Sequence, residues 1–508
     1  MNNQTILIID FGGQYKELIA RRVREMNVFS VIKPCSISEE EVEKMSPIGI
    51  ILTGGPNSVY ADNAPPCSLD FEALGIPVLG ICYGMQYLCY RFGGDVRKAE
   101  HSEYGVHKVR TLPGSVLLQG VPSEFNGLMS HTDRVFRLPE NFEPAAETDL
   151  CRYAAFEDRK RNIYGVQFHP ETELTEHGMQ ILHNFVYGVC HAAGDFVISD
   201  YIETAIDSVR KQVGSSRVIL GLSGGVDSSV CASLISRAIG KNLICIFVDH
   251  GLLRKGESEQ VCSAFSGSDL QFIHVDASER FLSKLKGVTE PEAKRKIIGA
   301  EFAHVFEEEA SKFPDAKFLA QGTIYPDVVE SGANKSAVIK SHHNVGGLPK
   351  NLSFTGVVEP LRGLFKDEVR KVGRILGLPE SIINRQPFPG PGLAIRVIGE
   401  VTKEKLDILR DADAIFREEV DKLEDRPDQY FAVLTSMRSV GVMGDFRTYE
   451  YTAALRAVKT NDFMTAEVFS LPVETILTSA SRITDEVKGI NRVVFDVTPK
   501  PPATIEWE

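Results

Sequence analysis

The sequence has little of what marks membrane, secreted and nucleic-acid-binding proteins. Its apolar runs fall short of the roughly 20 residues that cross a bilayer, so we expect no membrane partner. Acidic residues outnumber basic ones, 69 against 56, whereas a nucleic-acid binder presents a basic surface. The nine cysteines show no CxxC pairs or regular spacing. That pattern favours neither a disulfide framework nor a zinc site.

The N-terminus, MNNQTILIID, also lacks the basic stretch of a signal peptide. We therefore expect no signal peptide and a reducing, cytoplasmic location. A length of 508 residues favours two to four domains, because single cores stop growing at a few hundred residues.

A glycine- and serine-rich stretch, RVILGLSGGVDSSV at 217–230, is the most informative segment. It predicts a strand, a tight turn and a helix start, where unpaired backbone N–H groups bind anions. It lacks the lysine of a Walker A loop. We expect a site for the pyrophosphate part of a nucleotide, with an ordinary capped turn as the alternative. The candidate residues are Ser223, Gly224, Gly225, Val226, Asp227, Ser228 and Ser229.

Upstream, buried-type strands at 5–9, Gly49–Leu52 and Pro77–Ile81 alternate with helical patterns, which predicts a parallel sheet. The third strand leads into GICYGMQ, a nucleophile-elbow pattern with Cys82 as the nucleophile. A thiol at a helix start is activated by the helix dipole. The N–H of Tyr83 and a glycine of TGGP, Gly55, are candidate oxyanion donors.

QFHPE at 167–171 supplies a base and an orienting group for that nucleophile. In an extended chain His169 and Glu171 face the same side. The elbow, TGGP and HPE in this order resemble the class I glutamine amidotransferase family, over about residues 1–190. The resemblance implies that Cys82 attacks the amide of glutamine and His169 relays protons. It also implies that Glu171 holds His169 and that Gln86 binds glutamine.

SGGVDSS resembles the PP-loop of the ATP pyrophosphatases, which cleave ATP to AMP and pyrophosphate. The following strands, Leu243–Val248 and Phe318–Gln321, should end at the same edge of a second parallel sheet. Further ATP-binding and metal candidates at those ends are Val248, Asp249, Gly322 and Asp327, with a helix cap nearly as plausible for Asp249. For the KRK of Pro291–Gly299 a solvated helix face is expected. Lys340 lies in a glycine-rich loop long enough to close over a site.

The proline- and glycine-dense PFPGPGLAIRV at 387–397 predicts a rigid, irregular linker. Residues 398–508 mix helix-like and strand-like runs and end in KPPATIEWE, with the only tryptophan, Trp507. Chain ends usually fray, but this composition suggests a segment held in place. Lys500 and Arg492 are candidates for a phosphate contact and Glu506 for a purine contact.

Together, the motifs, FVDHGLLR, the linker and the tail resemble the glutamine-hydrolysing GMP synthase family over the whole chain. The resemblance implies an α/β fold with three domains. A class I glutamine amidotransferase domain spans 1–192 and an adenine-nucleotide alpha-hydrolase-like (PP-loop) parallel-sheet domain spans 200–385. A small α+β C-terminal domain for dimerisation and XMP binding spans 386–508.

The implied activity is that of an AMP-forming carbon–nitrogen ligase in purine biosynthesis, which makes GMP from XMP, ATP and glutamine. Mg²⁺ is implied with ATP, with Asp227 or Asp327 as ligand. A homodimer and no nucleic-acid partner are implied as well. The implied XMP contacts are Arg280, Lys340, Gln429, Arg492, Lys500, Ile505 and Glu506.

Three alternatives stay open at this point. Another glutamine-dependent PP-loop enzyme, such as an NAD or asparagine synthetase, fits the loop but not the linker or tail. A tRNA-modifying PP-loop enzyme would need a basic face. A catalytically silent nucleotide-binding protein would not need Cys82, His169 and Glu171 together.

Overall fold

The computed structural model describes residues 3–267, 269–332, 354–443, 446–460 and 465–508. The chain forms two compact units, Met1–Tyr201 and Ile202–Glu508. In the described ranges, no helix combines the length and apolar character that crossing a membrane requires.

The first unit is built on a nine-stranded sheet in the order β2-β1-β3-β4-β9-β8-β7-β5-β6. Its strands are β1 (Thr5–Asp10), β2 (Phe29–Pro34), β3 (Gly49–Leu52), β4 (Val78–Ile81), β5 (Asp95–Thr111), β6 (Glu124–Arg137), β7 (Glu143–Glu147), β8 (Ala155–Asp158) and β9 (Ile163–Val166). Its helices are α1 (Lys16–Glu25), α2 (Glu39–Met45), α3 (Phe71–Leu74), α4 (Tyr83–Arg91) and α5 (Gly178–His183), and a π-helical turn follows at Asn184–Val189.

The five strands from β2 to β9 in that order pair in parallel. Strands β3, β4 and β9 are buried at every residue, as expected for a parallel sheet covered on both faces. The three strands predicted from the sequence are therefore confirmed, although the first ends one residue later, at Asp10, and the third starts one residue later, at Val78. Their carboxyl ends share one edge of the sheet.

The second unit contains two sheets. The first is parallel, in the order β12-β11-β10-β13-β14, and the second joins β15, β16 and β17, with β18 beside β16. The strands are β10 (Arg217–Gly221), β11 (Leu243–Asp249), β12 (Gln271–Asp276), β13 (Ala316–Ala320), β14 (Gly356–Val358), β15 (Gln429–Met443), β16 (Phe446–Lys459), β17 (Glu467–Val468) and β18 (Ile490–Asp496).

Helix α6 (Ile198–Val213) leads into the second unit. The helices after it are α7 (Val226–Ile239), α8 (Glu257–Phe265), α9 (Ser278–Leu285), α10 (Pro291–Ala310), α11 (Tyr325–Gly332), α12 (Lys366–Ile375), α13 (Glu380–Ile383), α14 (Lys403–Val420) and α15 (Val473–Glu486).

The segment at 387–397 is irregular, as expected, but it is part of the core. It contains a 3₁₀ turn at Gly392–Ile395, and Leu393 and Val397 are fully buried. One apolar cluster joins these residues to Ile219 of β10 and Leu455 of β16. The two sheets of the second unit thus share a core.

Lys294, in the KRK sequence of α10, is fully buried. The expectation of a solvated face is therefore wrong for this residue, although Lys296 is exposed. The Lys294 ammonium donates to the carbonyls of Ala394 (3.1 Å) and Val397 (2.8 Å) and pairs with the carboxylate of Glu508. These partners compensate for the loss of hydration and hold the end of the chain.

Arg456, fully buried in β16, holds the tail a few residues earlier. Its guanidinium donates to the carbonyls of Ile505 (2.8 Å) and Thr504 (2.9 Å) and to the carboxylate of Asp496 (2.5 Å). Trp507 donates to the same carboxylate (3.0 Å). The tail KPPATIEWE is therefore held by buried cations, as its composition suggests.

We predict that Arg456→Met destabilises the second unit by about 3–5 kcal/mol. The variant removes the charged partner of Asp496 and the donor of the carbonyls of Thr498, Thr504 and Ile505. Urea unfolding followed by the fluorescence of Trp507, the only tryptophan, measures this. The control is Arg426→Met, whose arginine has a side chain 53% exposed. Equal midpoints for both variants would contradict the anchoring role.

Candidate active site

Cys82 occupies a sharp turn between β4 and α4, as the elbow pattern predicts. Its φ of +52° is rare for a residue with a side chain. The flanking glycines are required by space, because a Cβ on Gly80 would lie 2.5 Å from Gly84 and one on Gly84 would lie 2.5 Å from the carbonyl of Leu52. The turn places the thiol at the start of a helix.

His169 and Glu171 meet at this thiol. Nδ1 of His169 lies 2.8 Å from Oε1 of Glu171. Burial disfavours the imidazolium, but the charge of Glu171 and the neighbouring Cys82 outweigh it, so the pKa of His169 lies well above its ordinary value. This geometry suits a thiolate–imidazolium pair oriented by a carboxylate.

The TGGP turn after β3 lies beside these residues. A Cβ on Gly54 would be 3.5 Å from Cε1 of His169, and one on Gly55 would be 3.0 Å from the ring of Tyr83. The structure thus brings Gly55 and Tyr83 next to Cys82. Their role as oxyanion donors stays a prediction.

Gln86 is buried one turn into α4, and its amide donates to the carbonyl of Asp133 (2.7 Å) and to Oε1 of Gln167 (3.2 Å). Gln167 in turn donates to Sγ of Cys82 (3.6 Å). The carbonyl of Ser130 lies 3.7 Å from the same sulfur. Gln167 and the segment Met129–Asp133 of β6 therefore border the site. Neither was given a role from the sequence alone.

His131 of that segment forms a buried pair with Glu103 of β5. Their Oε2 and Nε2 atoms are 3.2 Å apart, and Thr148 donates to Oε1 of Glu103 (2.7 Å). Burial raises the pKa of Glu103, but the neighbouring His131 and the hydrogen bond from Thr148 outweigh it and lower the pKa overall. Nδ1 of His131 lies 3.0 Å from the carbonyl of Asp133, to which it can donate. The pair thus supports the carbonyl that Gln86 uses.

In the second unit, the glycine-rich loop joins β10 to α7 as predicted. Gly224 has a φ of +75°. The hydroxyls of Ser223 and Ser228 are 3.0 Å apart, and Ser228 also donates to the carbonyl of Gly225 (3.1 Å). A Cβ on Gly322 would lie 3.1 Å from the backbone of Asp227 and Ser228. Glycine at 322 is thus what allows its strand end to approach the loop.

Two cationic side chains reach this loop from far along the chain. Lys366 Nζ lies 2.5 Å from Oδ2 of Asp227, and Arg385 donates to the carbonyl of Gly224 (2.5 Å). They are 139 and 161 residues from their partners, so no local pattern could have indicated them. Each of these cations is also paired with a carboxylate, Lys366 with Asp227 and Arg385 with Glu257.

The other predicted nucleotide residues have local partners. Val248 is buried in β11, and Asp249 accepts from the N–H of Gly251 (2.8 Å). Asp327 accepts from the N–H of Ile324 (3.0 Å) at the start of α11. Lys340 lies outside the described residues. Within the described ranges, no three His, Cys, Asp or Glu side chains gather as a metal site.

Most of the predicted XMP residues lie at one end of the second sheet. Gln429 begins β15 and pairs with Val458, which belongs to the same apolar cluster as Ile505. Lys500 bridges to Ala466 in the same cluster. Glu506 follows Ile505, and both of its oxygens are held by Arg396, at 2.7 and 3.0 Å.

Arg492 and Arg280 lie apart from that group. Arg492 pairs with Thr452 of β16, six residues before Val458 and hence roughly 20 Å along the strand. Arg280 is held by Glu301 and by both oxygens of Glu308 (2.6 and 2.8 Å).

Comparison with known proteins places this geometry in a family. The glutamine amidotransferase class-I model matches residues 7–189, the NAD synthase model 198–279 and the GMP synthase C terminal domain model 418–507. The GMP synthase [glutamine-hydrolyzing] of Acetivibrio thermocellus is 58% identical over all of both chains. The chain belongs to the glutamine-hydrolysing GMP synthase family.

Other members of this GMP synthase family agree over the same length. Those of Caldicellulosiruptor saccharolyticus and Treponema denticola are each 56% identical. The first match covers all of both chains, and the second covers 99% of this chain and 97% of the relative. The NAD synthase match extends over the PP-loop region alone, so the GMP synthase reading is favoured over an NAD synthetase.

We predict that Glu171→Gln slows iodoacetamide alkylation of Cys82 at least tenfold at pH 7–8. Glu171 raises the pKa of His169, so its stabilisation of the pair is complete below about 6.5, the ordinary histidine pKa, and is lost as pH rises through the folded-state pKa. Without Glu171 the imidazolium is lost at lower pH, and with it the charge that stabilises the thiolate.

Mass spectrometry of the peptide that contains Cys82 gives the alkylation rate at each pH. Glu173→Gln is the control, because that side chain is 83% exposed. Identical rate–pH curves for the wild type and Glu171→Gln would refute the assignment.

Proposed function

We propose that this chain makes GMP from XMP, using ATP and the amide nitrogen of glutamine. The observation that carries the proposal is the presence of two separate sites in one chain. The Cys82–His169–Glu171 cluster is built for amide hydrolysis, and the Ser223–Ser229 loop is built for a nucleotide polyphosphate. We infer that XMP is the nitrogen acceptor because relatives over the full length are named GMP synthases.

In the first half-reaction, the Cys82 sulfur attacks the side-chain carbonyl carbon of glutamine. The proton held by His169 passes to the departing nitrogen, and ammonia leaves. Water then attacks the thioester, with His169 as base, and glutamate is released. The N–H groups of Gly55 and Tyr83 are proposed to receive the negative oxygen of each tetrahedral intermediate, and Gln86 to bind the substrate.

In the second half-reaction, the 2-oxo oxygen of XMP attacks the α-phosphorus of ATP, and pyrophosphate leaves. The loop N–H groups and the Lys366 ammonium neutralise the charge that grows on the departing pyrophosphate. Ammonia then attacks carbon 2 of the base, and AMP departs with the former 2-oxo oxygen. The products are GMP, AMP and pyrophosphate.

Mg²⁺ is proposed to accompany ATP, with Asp227 as the protein ligand. Mg²⁺ bound with nucleotides takes one or two carboxylates, while phosphates and waters complete its shell. Oδ2 of Asp227 is held by Lys366, while Oδ1 is buried without a hydrogen-bond partner among the described residues. When bound, the ion would neutralise phosphate charge. Asp327 is the weaker candidate, since it binds the N–H of Ile324.

The proposed XMP site comprises Gln429, Lys500, Ile505 and Glu506, which lie at one end of the second sheet. Arg492, Arg280 and Lys340 remain predictions without support from this protomer.

The domain limits 1–192, 200–385 and 386–508 are likewise kept as a proposal, with the last two sharing a core. None of the nine cysteines forms a disulfide, which supports a reducing, cytoplasmic setting.

A homodimer is proposed through the β15–β16 hairpin. Val440 and Val442 on β15 and Tyr449 on β16 share one face, because Val440 pairs with Tyr449. Their exposed fractions are 59%, 74% and 62%. A continuous exposed apolar face of this kind is typical of an interface.

We predict that Cys82→Ala abolishes GMP formation from glutamine but retains it from ammonium salts, because only the first half-reaction needs the thiol. The assay contains purified full chain, ATP, Mg²⁺ and XMP, and it follows AMP and GMP, with IMP and deamido-NAD as control acceptors. Cys35→Ala, which changes a cysteine outside the site, serves as the matched variant. Equal loss with both nitrogen donors would contradict the two-site account.

We predict that the double variant Val442→Glu/Tyr449→Glu is a monomer at micromolar concentration, because two buried carboxylates would disfavour the interface. Light scattering after size exclusion gives the mass. Ile375→Glu, which charges an exposed apolar residue on α12, should remain dimeric. A monomeric wild type, or a dimeric double variant, would refute the hairpin interface.

A further inference from the structure

A group of buried charges lies between the nucleotide loop and the C-terminal tail. At the loop end, Arg385 donates from Nη1 to the carbonyl of Gly224 and pairs through Nη2 with Oε1 of Glu257, both at 2.5 Å. Glu257 also accepts from the backbone N–H of Arg254 (2.9 Å). Arg254 and Glu257 are both buried.

The ring of Phe388, in the segment 387–397 that was predicted to be a linker, joins this group to the tail. The guanidinium carbons of Arg254, Arg385 and Arg396 lie 4.3, 5.9 and 5.3 Å from its centroid. These are cation–π distances. The guanidinium groups of three arginines therefore lie within about 6 Å of one aromatic ring.

Arg385 fixes the direction of a loop N–H. The carbonyl of Gly224 and the N–H of Gly225 belong to one planar peptide and point in opposite directions. With the carbonyl held by Arg385, the N–H of Gly225 lies on the other side, 3.3 Å from Oγ of Ser223. This is the side on which the serine hydroxyls gather and where a phosphate would bind.

Arg396 fixes the direction of a tail carboxylate. It is fully buried and binds both oxygens of Glu506, whose side chain remains 18% exposed. Its guanidinium also lies 3.9 Å from the ring centroid of Phe431. A carboxylate held in this bidentate way has one orientation, and its outer lone pairs can still accept from a ligand.

We propose that Arg385 and Arg396 are positioning residues for the two substrates of the adenylation step. Arg385 orients the loop for ATP, and Arg396 orients Glu506 for XMP. The ring of Phe388 contacts both guanidinium groups and keeps them in position. This inference rests on the proposed function, which assigns ATP to the loop and XMP to the tail.

The test measures KM for ATP and for XMP from AMP formation by the full chain, with ammonium as nitrogen donor. Lysine keeps the charge but loses the planar fork. Arg385→Lys should raise KM for ATP at least fivefold, with KM for XMP within twofold. Arg396→Lys should raise KM for XMP at least fivefold and leave KM for ATP within twofold. Phe388→Leu should raise both constants at least threefold.

Arg482→Lys is the matched control, because that arginine binds carboxylates away from Phe388, and both constants should stay within twofold. If a lysine variant fails to fold by circular dichroism, the glutamine variant at that position repeats the comparison, since glutamine removes the charge but retains an N–H donor group. The positioning roles are overturned if KM for ATP and KM for XMP rise together in both arginine variants. They are also overturned if neither constant changes. A wild type without XMP-dependent AMP formation overturns the proposed function and this proposal with it.

Discussion

Charges removed from water must be paired, and this constraint determines much of the structure. An unpaired buried ion costs several kcal/mol, so each such side chain holds its partner in place. Lys294 and Arg456 thereby hold the last residues of the chain in place, whereas chain ends usually fray. In the first unit, Glu171 holds His169 by the same rule.

The two sites use one backbone solution for different chemistry. In each, a buried parallel strand ends, the chain passes through a positive φ, at Cys82 or Gly224, and a helix begins. Such strand ends are where open α/β sheets bind ligands. In the first unit the helix start carries a thiol, which its dipole activates, and in the second it offers N–H groups to phosphate.

The sequence predicted the parts of both sites that are contiguous in the chain. The elbow around Cys82 and the Ser223–Ser229 loop could be recognised because turns of that geometry need glycine at fixed spacing. The HPE segment could be recognised because residues two apart in an extended chain face the same side. The supporting residues could not be predicted. Lys366, Arg385 and Lys294 meet partners more than 100 residues away, and only the fold brings them there. The linker at 387–397 shows the same limit, since its burial depends on both sheets.

The central claim is that ATP activates XMP at its 2-oxo oxygen before ammonia displaces that oxygen. XMP carrying ¹⁸O at this position tests it directly, with mass spectrometry of the AMP and pyrophosphate formed in ordinary water. The account predicts one ¹⁸O atom in each AMP and none in pyrophosphate. Label appearing in pyrophosphate or in water, with unlabelled AMP, would contradict it.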